Sequence, residues 1–425
     1  MSDFLHGVET FVLTKGPIPI REIKSAVVFL VGTAPVHETV PSGTSDSDWY
    51  AETVNNPIII LNSDDAVKYF GDTSIAEGYT IPWALDAIFD HGGTTIVVVN
   101  VFDPTKHVDD NNNPDPTKVT DADIIGTYDA TTDKRTGFKI AEELYPRFGF
   151  TPKILLSPVF CESQAVATEM IAVANKTSVR AIALIDAASG TTFQGVIEAR
   201  GTGGVLNFSD YRAVICYPHL KVYDPATDGT RLEPFSQRLA GVIAKTDHDH
   251  GYWWSPSNQE IMGIIGMETQ LTASINDPLC QVNQLNANGI VTVFNSFGTG
   301  YRTWGNRSSA FPTNTDPKNF INIQRTADIV AESIEYFSMQ YLDKPLTIAI
   351  DGVLESVNAF LRTLIGRGAL VDGKCYFLPD KNPESELAAG HLTFTYEMMP
   401  PPPAERITFE EVININFLKE LAGGK

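Results

Sequence analysis

Short apolar runs and amphipathic stretches alternate along the first two thirds of the chain. The apolar runs lie at residues 26–32, 57–61, 95–101, 153–156, 181–186 and 213–217. Between them, apolar residues recur with helical spacing, most clearly at residues 81–90, 163–176 and 234–245. Strands that are apolar on both faces and alternate with helices are typical of a parallel sheet covered by helices. This pattern therefore predicts a parallel α/β domain.

The last third of the chain has a different order of elements. Apolar residues recur every three or four positions between Ala327 and Tyr341, which predicts a long helix. A second helix is predicted over residues 352–367, and strands over residues 374–378 and 391–398. Helices that precede strands, instead of alternating with them, are typical of an α+β domain. The sequence thus predicts a second domain of another class.

The last residues of the sequence combine a proline run with an alternating segment. The prolines at 400–403 lack amide hydrogens and favour a stiff polyproline II spacer. The segment after them alternates apolar and polar residues, which predicts a half-buried strand. Its apolar positions are Ile407, Phe409, Ile413, Ile415 and Phe417. We predict that this arm pairs with a sheet edge of another subunit, an ordinary strand in the chain's own sheet being the alternative.

The first residues of the sequence show a similar pattern of a β-prone segment next to prolines. Val8, Phe11 and Leu13 lie in a β-prone segment that is followed by prolines at 17 and 19. A dozen extended residues span about 40 Å, which is enough to reach a neighbouring molecule. We therefore predict a second exchange arm here, again with a strand in the chain's own sheet as the alternative.

These patterns divide the chain into four regions. An N-terminal arm covers residues 1–20, and the α/β domain covers residues 21–280 with a loop-rich insertion at 103–136. The α+β domain covers residues 281–399, and the proline spacer with the C-terminal arm covers residues 400–425.

Composition and charge exclude several classes of protein. The 425 residues are 43% hydrophobic and 20% charged, as in folded globular proteins. The formal charge of −21 and the lack of a basic cluster argue against nucleic-acid binding. No secretion signal starts the sequence, and no apolar run approaches the roughly 20 residues of a membrane span. We expect synthesis and folding in the cytoplasm without membrane insertion.

No group of residues predicts a metal or cofactor site. The four cysteines, Cys161, Cys216, Cys280 and Cys375, are scattered and predict neither a disulfide framework nor zinc binding. The Asp/Asn loop at 109–115 could offer oxygen ligands to calcium, but it lacks the EF-hand glycine and glutamate, so a solvated turn is favoured. Two histidines at 248 and 250 have no obvious third ligand, and a helix end is favoured there.

A catalytic site is also not predicted. Ser157 and Asp186 fall at predicted strand ends, where α/β proteins place ligands. However, the sequence contains no G-x-S-x-G elbow and no P-loop, and no histidine is nominated as a base for a serine. We expect a protein that is not an enzyme, with an α/β-hydrolase-like enzyme as a minor alternative.

Four segments, taken in order, resemble contractile phage tail sheath proteins, most closely the P2-like and R-type pyocin branch. They are His6-Gly7-Val8-Glu9, Trp304-Gly305-Asn306-Arg307, Lys344-Pro345 and Tyr396-Glu397-Met398-Met399-Pro400-Pro401. The resemblance includes both termini and is strongest from residue 289 to residue 417. It implies a subtilisin-like outer α/β domain without the catalytic triad, an inner α+β domain, and arms that add strands to neighbouring subunits.

The resemblance also implies a function and partners. Sheath subunits stack as hexameric rings around a tail tube and contract to drive the tube through the host cell envelope. The implied partners are further copies of the chain, the tube protein, the baseplate and the tail terminator, in a virion assembled in the bacterial cytoplasm. A tailocin or another contractile injection system is the alternative particle. Arg362, Arg367 and Lys374 are predicted to face an acidic tube surface, with a solvated helix face as the alternative.

Overall fold

This computed structural model describes residues 18–224, 227–295, 298 and 300–418. The predicted arm residues Val8, Phe11 and Leu13 lie outside the described residues. The strands formed by the described residues are β1 (Val27–Gly32), β2 (Ile58–Ile60), β3 (Thr95–Asn100), β4 (Tyr128–Asp129), β5 (Lys134–Arg135), β6 (Ile154–Leu156), β7 (Ile182–Asp186), β8 (Ala213–Cys216), β9 (Leu220–Asp224), β10 (Gly229–Glu233), β11 (Gly266–Met267), β12 (Ile290–Asn295), β13 (Tyr301–Trp304), β14 (Asp372–Phe377) and β15 (Phe394–Met399).

The α-helices found in the same ranges include one at each of the five stretches where the sequence predicts a helix. They are α1 (Asp46–Thr53), α2 (Ser63–Phe70), α3 (Ile81–Phe89), α4 (Asp121–Ile125), α5 (Leu144–Phe148), α6 (Gln164–Ala174), α7 (Phe193–Arg200), α8 (Phe235–Asp249), α9 (Gln281–Ala287), α10 (Ile321–Ser338), α11 (Leu346–Gly366) and α12 (Glu384–Ala388). Helix α11 follows Pro345 directly, so it starts well before the predicted residue 352.

One large sheet organises most of the chain. Its strand order is β13-β12-β8-β7-β6-β1-β3-β2. The six central strands are parallel, and five of them, β1, β3, β6, β7 and β8, lie in apolar runs that predicted a parallel sheet. The prediction is wrong for the run at residues 57–61, because β2 pairs with β3 in antiparallel fashion. Strand β13 pairs with β12 in the same way, and antiparallel edge strands are common in such folds.

Helices cover both faces of the large sheet. Side chains of a strand alternate between its faces, and in β1 Phe29 contributes to one apolar core while Leu30 contributes to the other. The Phe29 side is covered by residues of α6 such as Met170. The Leu30 side is covered by α3 and α8, through residues such as Leu85 and Leu239. Burial on both faces explains why these strands are apolar throughout.

A smaller unit with its own core follows the large sheet. Helix α11 packs its apolar side against the antiparallel hairpin β14–β15, with Leu361 and Cys375 among the buried residues. Helix α10 belongs to both units, since its Ile321 lies in the core of the large sheet and its Val330 in the smaller core. Strands β12 and β13 lie in the large sheet, so the predicted domain boundary at residue 280 does not coincide with the end of that sheet.

The insertion at residues 103–136 contains more regular structure than its polar sequence predicts. It includes α4 and the short hairpin of β4 and β5. Thr120 and Asp123 form a reciprocal capping box at the start of α4. The aspartates of this segment, such as Asp109, accept hydrogen bonds from nearby backbone amides. Polar residues here fix turns and helix ends.

Candidate inter-subunit site

The proline segment (residues 400–403) lies against the body of the protein. Pro400 is buried, and the side-chain amide of Asn322 at the start of α10 donates to the carbonyl oxygen of Pro401 at 3.3 Å. The same amide donates to the carbonyl oxygen of Trp253 at 2.9 Å. The spacer is thus attached to the large-sheet unit at a defined point.

Arg307 binds the first residues beyond the prolines. Its guanidinium carbon lies 3.6 Å from the centre of the Phe320 ring, which holds the side chain in place. Its Nε and Nη2 donate to the two carboxylate oxygens of Glu405 at 3.1 and 2.6 Å. Two parallel hydrogen bonds to one carboxylate fix the orientation of the Glu405 side chain as well as its position.

The loop that carries Arg307 requires Gly305. Gly305 has φ +117°, and a Cβ at this position would meet the Asn286 side chain at 2.5 Å and backbone atoms of β12 at 3.2–3.3 Å. The preceding Trp304 stacks on Phe294 with a centroid distance of 4.5 Å. The Trp-Gly-Asn-Arg segment therefore turns the chain tightly after β13 and presents Arg307 to the arm.

The C-terminal arm (residues 404–418) leaves the body after Glu405 with its apolar side chains in solvent. Residues 404–414 form no helix or strand, and Phe409 and Ile413 are 91% and 90% exposed. Other exposed apolar residues of the arm are Ile407, Val412, Ile415, Phe417 and Leu418. The half-buried strand predicted here is not formed within the chain, and Ile415–Phe417 is a 3-10 turn. An exposed apolar series of this kind marks an interaction site.

An open groove of about 1460 Å³ separates the first part of the arm from the body. Residues 401–409 form one wall. The opposite wall includes Trp254, Ile275, Pro278 and Trp304. Trp254 and Ile275 are themselves exposed, so the apolar surface of the arm continues onto the body.

The hairpin β14–β15 carries the edges that a strand could join. The two strands pair only with each other in the described part of the chain, with Cys375 opposite Tyr396. The side chains of Cys375, Tyr396 and Met398 contribute to the small core on α11. A two-stranded sheet gains stability when further strands join it.

The predicted tube-facing residues lie at the C-terminal end of α11 and on the strand β14, both in the smaller unit. Arg362 is exposed on α11, and Lys374 is exposed on β14, 5.1 Å from the centre of the Tyr376 ring. Arg367 forms an ion pair with Glu22 and lies 5.1 Å from the centre of the Trp253 ring. Arg367 therefore holds the segment that enters β1, a role that the sequence did not reveal.

The residues considered for catalysis have structural partners. The hydroxyl of Ser157 donates to the carbonyl oxygen of Val31 at 2.9 Å. Asp186 is fully buried, which raises the pKa of its carboxyl group, and it accepts a hydrogen bond from the amide of Ser236. His219 contacts Glu162 at 3.1 Å. Burial disfavours the protonated ring of His219 and so lowers its pKa. The hydrogen bond to Glu162 and the nearby carboxylates outweigh this effect, and the pKa of His219 is raised.

In the described ranges, no group of three potential metal ligands is present, and Asp247, next to the histidines at 248 and 250, binds Arg325. Among the helices described, none is long and apolar enough to cross a bilayer.

Two solved structures that share this fold are contractile sheaths. The sheath complex of an extracellular contractile injection system, PVC, in the contracted state superposes with a TM-score of 0.69 at 16% identity, covering 98% of this chain and 99% of its own. The contracted helical sheath of the anti-feeding prophage gives a TM-score of 0.68 at 18% identity, over 97% of this chain and 100% of its own. At 16% and 18% sequence identity, this structural similarity shows the fold alone.

Sequence relatives define the family. The phage tail sheath protein central domain matches residues 133–309, and the phage tail sheath C-terminal domain matches residues 313–414. The tail sheath protein of Burkholderia phage BcepMu is 39% identical, over 100% of this chain and 99% of its own length. The tail sheath protein of Escherichia phage P2 is 29% identical, over 99% of this chain and 98% of its own length. The chain belongs to the phage tail sheath protein family, which confirms the resemblance found in the sequence.

Proposed function

We propose that the chain is the structural subunit of a contractile tail sheath. It stacks as hexameric rings around a tail tube and contracts to drive the tube through the host cell envelope. The observation that carries this proposal is the C-terminal arm, whose exposed apolar side chains have no partner in the described part of a chain that belongs to the tail sheath family. A single subunit leaves this surface in water, and assembly covers it.

Strand exchange explains how rings stay connected during contraction. The C-terminal arm of one subunit adds a strand to the β14–β15 hairpin of another, and the predicted N-terminal arm (residues 1–20) makes an equivalent link. Main-chain hydrogen bonds between strands survive rotation of the globular bodies as long as the segment leading to the arm can bend. The bodies therefore repack while the chain-to-chain links persist.

Contraction requires no nucleotide in this proposal. The extended sheath is held by a kinetic barrier, and the contracted sheath is lower in free energy because more surface is buried between subunits. Several further features follow from the resemblance and stay part of the proposal: a subtilisin-like outer domain, contacts with baseplate and tail terminator, and assembly of the virion in the bacterial cytoplasm.

The smaller unit faces the tube in this proposal. Arg362 and Lys374 supply exposed positive charge on α11 and β14 that an acidic tube would attract. Asp351 and Glu355 are also exposed on α11, so the attraction is weak and local. A weak contact suits a surface that must release the tube on contraction.

Removal of the arm tests the proposal. A chain that ends at Pro403 lacks every exposed apolar residue of the arm, and we expect it to stay monomeric in ultracentrifugation and to form no tubes under negative-stain microscopy. A chain that ends at Leu418 keeps the arm and serves as the matched control, which we expect to polymerise. Sheath-like tubes from the shorter chain would contradict the proposal.

A tailocin or related injection device is the second candidate particle. It is supported by the fold shared with an extracellular contractile injection system and by 31% identity to a putative prophage major tail sheath protein of Pseudomonas aeruginosa, over 98% of both chains. The genes beside this one distinguish the two, because only a phage also encodes a capsid.

A further inference from the structure

A buried histidine lies between two carboxylates at the edge where β6 and β8 end. His219 follows β8, and its side chain is 6% exposed. Its Nε2 lies 3.1 Å from Glu162 Oε1, and its Nδ1 lies 4.0 Å from Glu268 Oε2. Glu162 belongs to a 3-10 turn after β6, and Glu268 directly follows β11. Each ring nitrogen of His219 therefore faces a carboxylate from a different part of the chain.

The positive charge beside these two carboxylates comes from His219. Within the described ranges, Glu162 and Glu268 form ion pairs with His219, and neither forms one with a lysine or an arginine. A third carboxyl group, that of the buried Asp186 at the end of β7, also favours the protonated ring. Asp186 accepts a hydrogen bond of 2.8 Å from the amide of Ser236. One imidazole thus balances three carboxyl groups.

This arrangement fits a protonated ring. A neutral imidazole carries a single N–H and would present a lone pair to one of the two carboxylates, whereas the imidazolium has a proton on each nitrogen. Burial lowers the pKa of His219, but the surrounding carboxyl groups raise it above the ordinary value of 6.5. Because the pKa is raised in the folded protein, the stabilisation from this ring is complete below pH 6.5. It is lost as the pH rises through the pKa of the folded state.

The same two carboxylates hold the loop between β7 and α7 (residues 187–191). Glu268 Oε1 accepts hydrogen bonds from the hydroxyl of Ser189 and from the amide of Gly190, both at 2.8 Å. Glu162 Oε2 accepts a longer hydrogen bond of 3.4 Å from the amide of Ser189. Residues 188–190 are exposed and belong to neither core of the large sheet. The middle of the loop is therefore attached to the body through the carboxylates that face His219.

The two ends of the loop have other anchors. The amide of Ala187 donates to the carbonyl oxygen of Cys216 at 3.0 Å, next to the pairing of β7 with β8. At the other end, the hydroxyl of Tyr217 donates to the carbonyl oxygen of Thr191 at 3.0 Å. Loss of the hydrogen bonds to the carboxylates would thus free residues 188–190 and leave the sheet intact.

We propose that His219, Glu162 and Glu268 form a pH-operated clasp that closes the β7–α7 loop. With the ring protonated, the two carboxylates are held on either side of it and bind the loop. When the ring releases one proton to the solvent, two like charges remain beside a neutral group. The carboxylates then turn towards water, since their side chains are already 20% and 15% exposed, and the loop opens.

The clasp is separate from the arm. The residues that line the groove do not include His219, Glu162 or Glu268. The clasp can therefore open without changing the contacts at which the arm leaves the body, and the inference does not rest on the proposed function. It gives the large-sheet unit a surface loop whose mobility depends on the pH of the surrounding solution.

A nitroxide spin label on the loop tests the clasp. Ala188→Cys places the label on an exposed loop residue outside these hydrogen bonds, and the four cysteines of the described chain are buried. In full-length protein, we expect the ratio of mobile to immobile label to rise roughly tenfold between about pH 6 and about pH 9, because hydrogen bonds to charged groups are lost. Thr177→Cys, on another exposed loop, is the control site and should show no such rise. Equal mobility at both pH values in Ala188→Cys would overturn the proposal.

Two further variants, each carrying the Ala188→Cys label, assign the pH dependence to the clasp. His219→Gln removes the positive charge at every pH, so we expect a mobile label already at about pH 6. Glu268→Gln keeps an acceptor for the loop but removes one of the two like charges, so we expect an immobile label even at about pH 9. Folding is verified by circular dichroism. If either folded variant kept the pH dependence of the parent, the proposal would be wrong.

His391→Gln with the same label controls for the loss of a titrating imidazole. His391 contacts Glu386, and the two side chains are exposed. We expect this variant to keep the pH dependence of the parent. A label as mobile at about pH 6 as in His219→Gln would show that titration elsewhere governs the loop, which would contradict the proposal.

Discussion

Arg325 and Asp247 form a buried ion pair that joins the long helices α10 and α8. Two bonds of 2.8 and 2.6 Å connect the guanidinium to the carboxylate, and the side chains are only 4% and 2% exposed. Arg325 also donates to the carbonyl oxygen of Ser25 at 3.0 Å, just before β1. One side chain thus holds together the entry of the chain into the sheet and the helix that both cores share.

Breaking this pair should strongly destabilise the protein. In Asp247→Asn the guanidinium stays buried without its charge partner, so we expect a loss of about 3–5 kcal/mol in the free energy of unfolding. Urea denaturation of the monomer measures it. Lys245→Met, which breaks the exposed Lys245–Asp249 pair on the same helix, should cost less than about 1 kcal/mol. Similar losses in both variants would contradict this expectation.

Buried His91 should make the protein sensitive to acid. Its Nδ1 donates to the carbonyl oxygen of Ala87, and its Nε2 accepts from the amide of Met262, so both nitrogens require the neutral ring. Burial lowers the pKa of His91 from 6.5 to about 4. Between about pH 4 and pH 6.5, His91 therefore binds a proton in the unfolded chain but not in the folded chain. The free energy of unfolding accordingly falls as the pH falls from 6.5 towards 4.

The contribution of His91 can be isolated by comparing variants. The shift in its pKa corresponds to roughly 3 kcal/mol of stability lost across that range. We expect the pH dependence of the unfolding free energy to become shallower by about this amount in His91→Gln. His391→Gln, altered at an exposed histidine, controls for the loss of an imidazole. Parallel curves for the parent protein and His91→Gln would show that this histidine is not responsible.

The Arg307–Glu405 contact should fix the direction in which the arm leaves the body. Spin labels at Thr408→Cys and Asn276→Cys, on the arm and on the opposite side of the groove, report the distance between them. We expect a narrow distribution in the parent and a clearly broader one in Glu405→Ala, because the arm then pivots from the prolines.

Glu410→Ala is the control for this measurement, since it removes the same charge from the arm without touching Arg307. Equal distributions in Glu405→Ala and the parent would mean that the prolines alone set the direction. The four cysteines of the described chain are buried, so labels attach selectively to the introduced thiols.

Arg362 provides the test of tube contact. Reversal of its charge in Arg362→Glu should weaken assembly on purified tubes, with little effect on tube-free polymers, because the residue is exposed and has no role in the small core. Lys134→Glu makes the same change on the large-sheet unit and should affect neither. Co-sedimentation with and without tubes measures assembly on tubes and tube-free polymerisation. If Arg362→Glu reduced the two equally, the result would argue against tube contact. Arg367 is unsuitable here because it binds Glu22.

The parallel strands and the long helices could be predicted because their patterns are local. A strand such as β1 is apolar at every position since both of its faces are covered, and α10 shows its stripe in the sequence. The antiparallel direction of β2 could not be predicted, because three apolar residues pack equally well in either direction.

The features that define the candidate site depend on residues distant in sequence. In the sequence, nothing indicates that the Asn358 side chain bonds the backbone of Cys375 on β14, or that Glu405 binds Arg307, 98 positions away. The alternation beyond the prolines indicated an apolar face but also predicted burial, because periodicity reveals an apolar face and not the molecule that covers it. The exposed arm shows that no part of the described chain does so.

In the proposed exchange the exposed C-terminal arm donates a strand and the β14–β15 hairpin accepts one, so every molecule carries both a donor and an acceptor. In polymer chemistry such a molecule is an AB monomer, which can keep adding to itself because every addition regenerates both reactive ends. Nothing in this pair of groups specifies a final length. A structure built from these units must therefore take its length from a separate template or from a component that blocks the growing end.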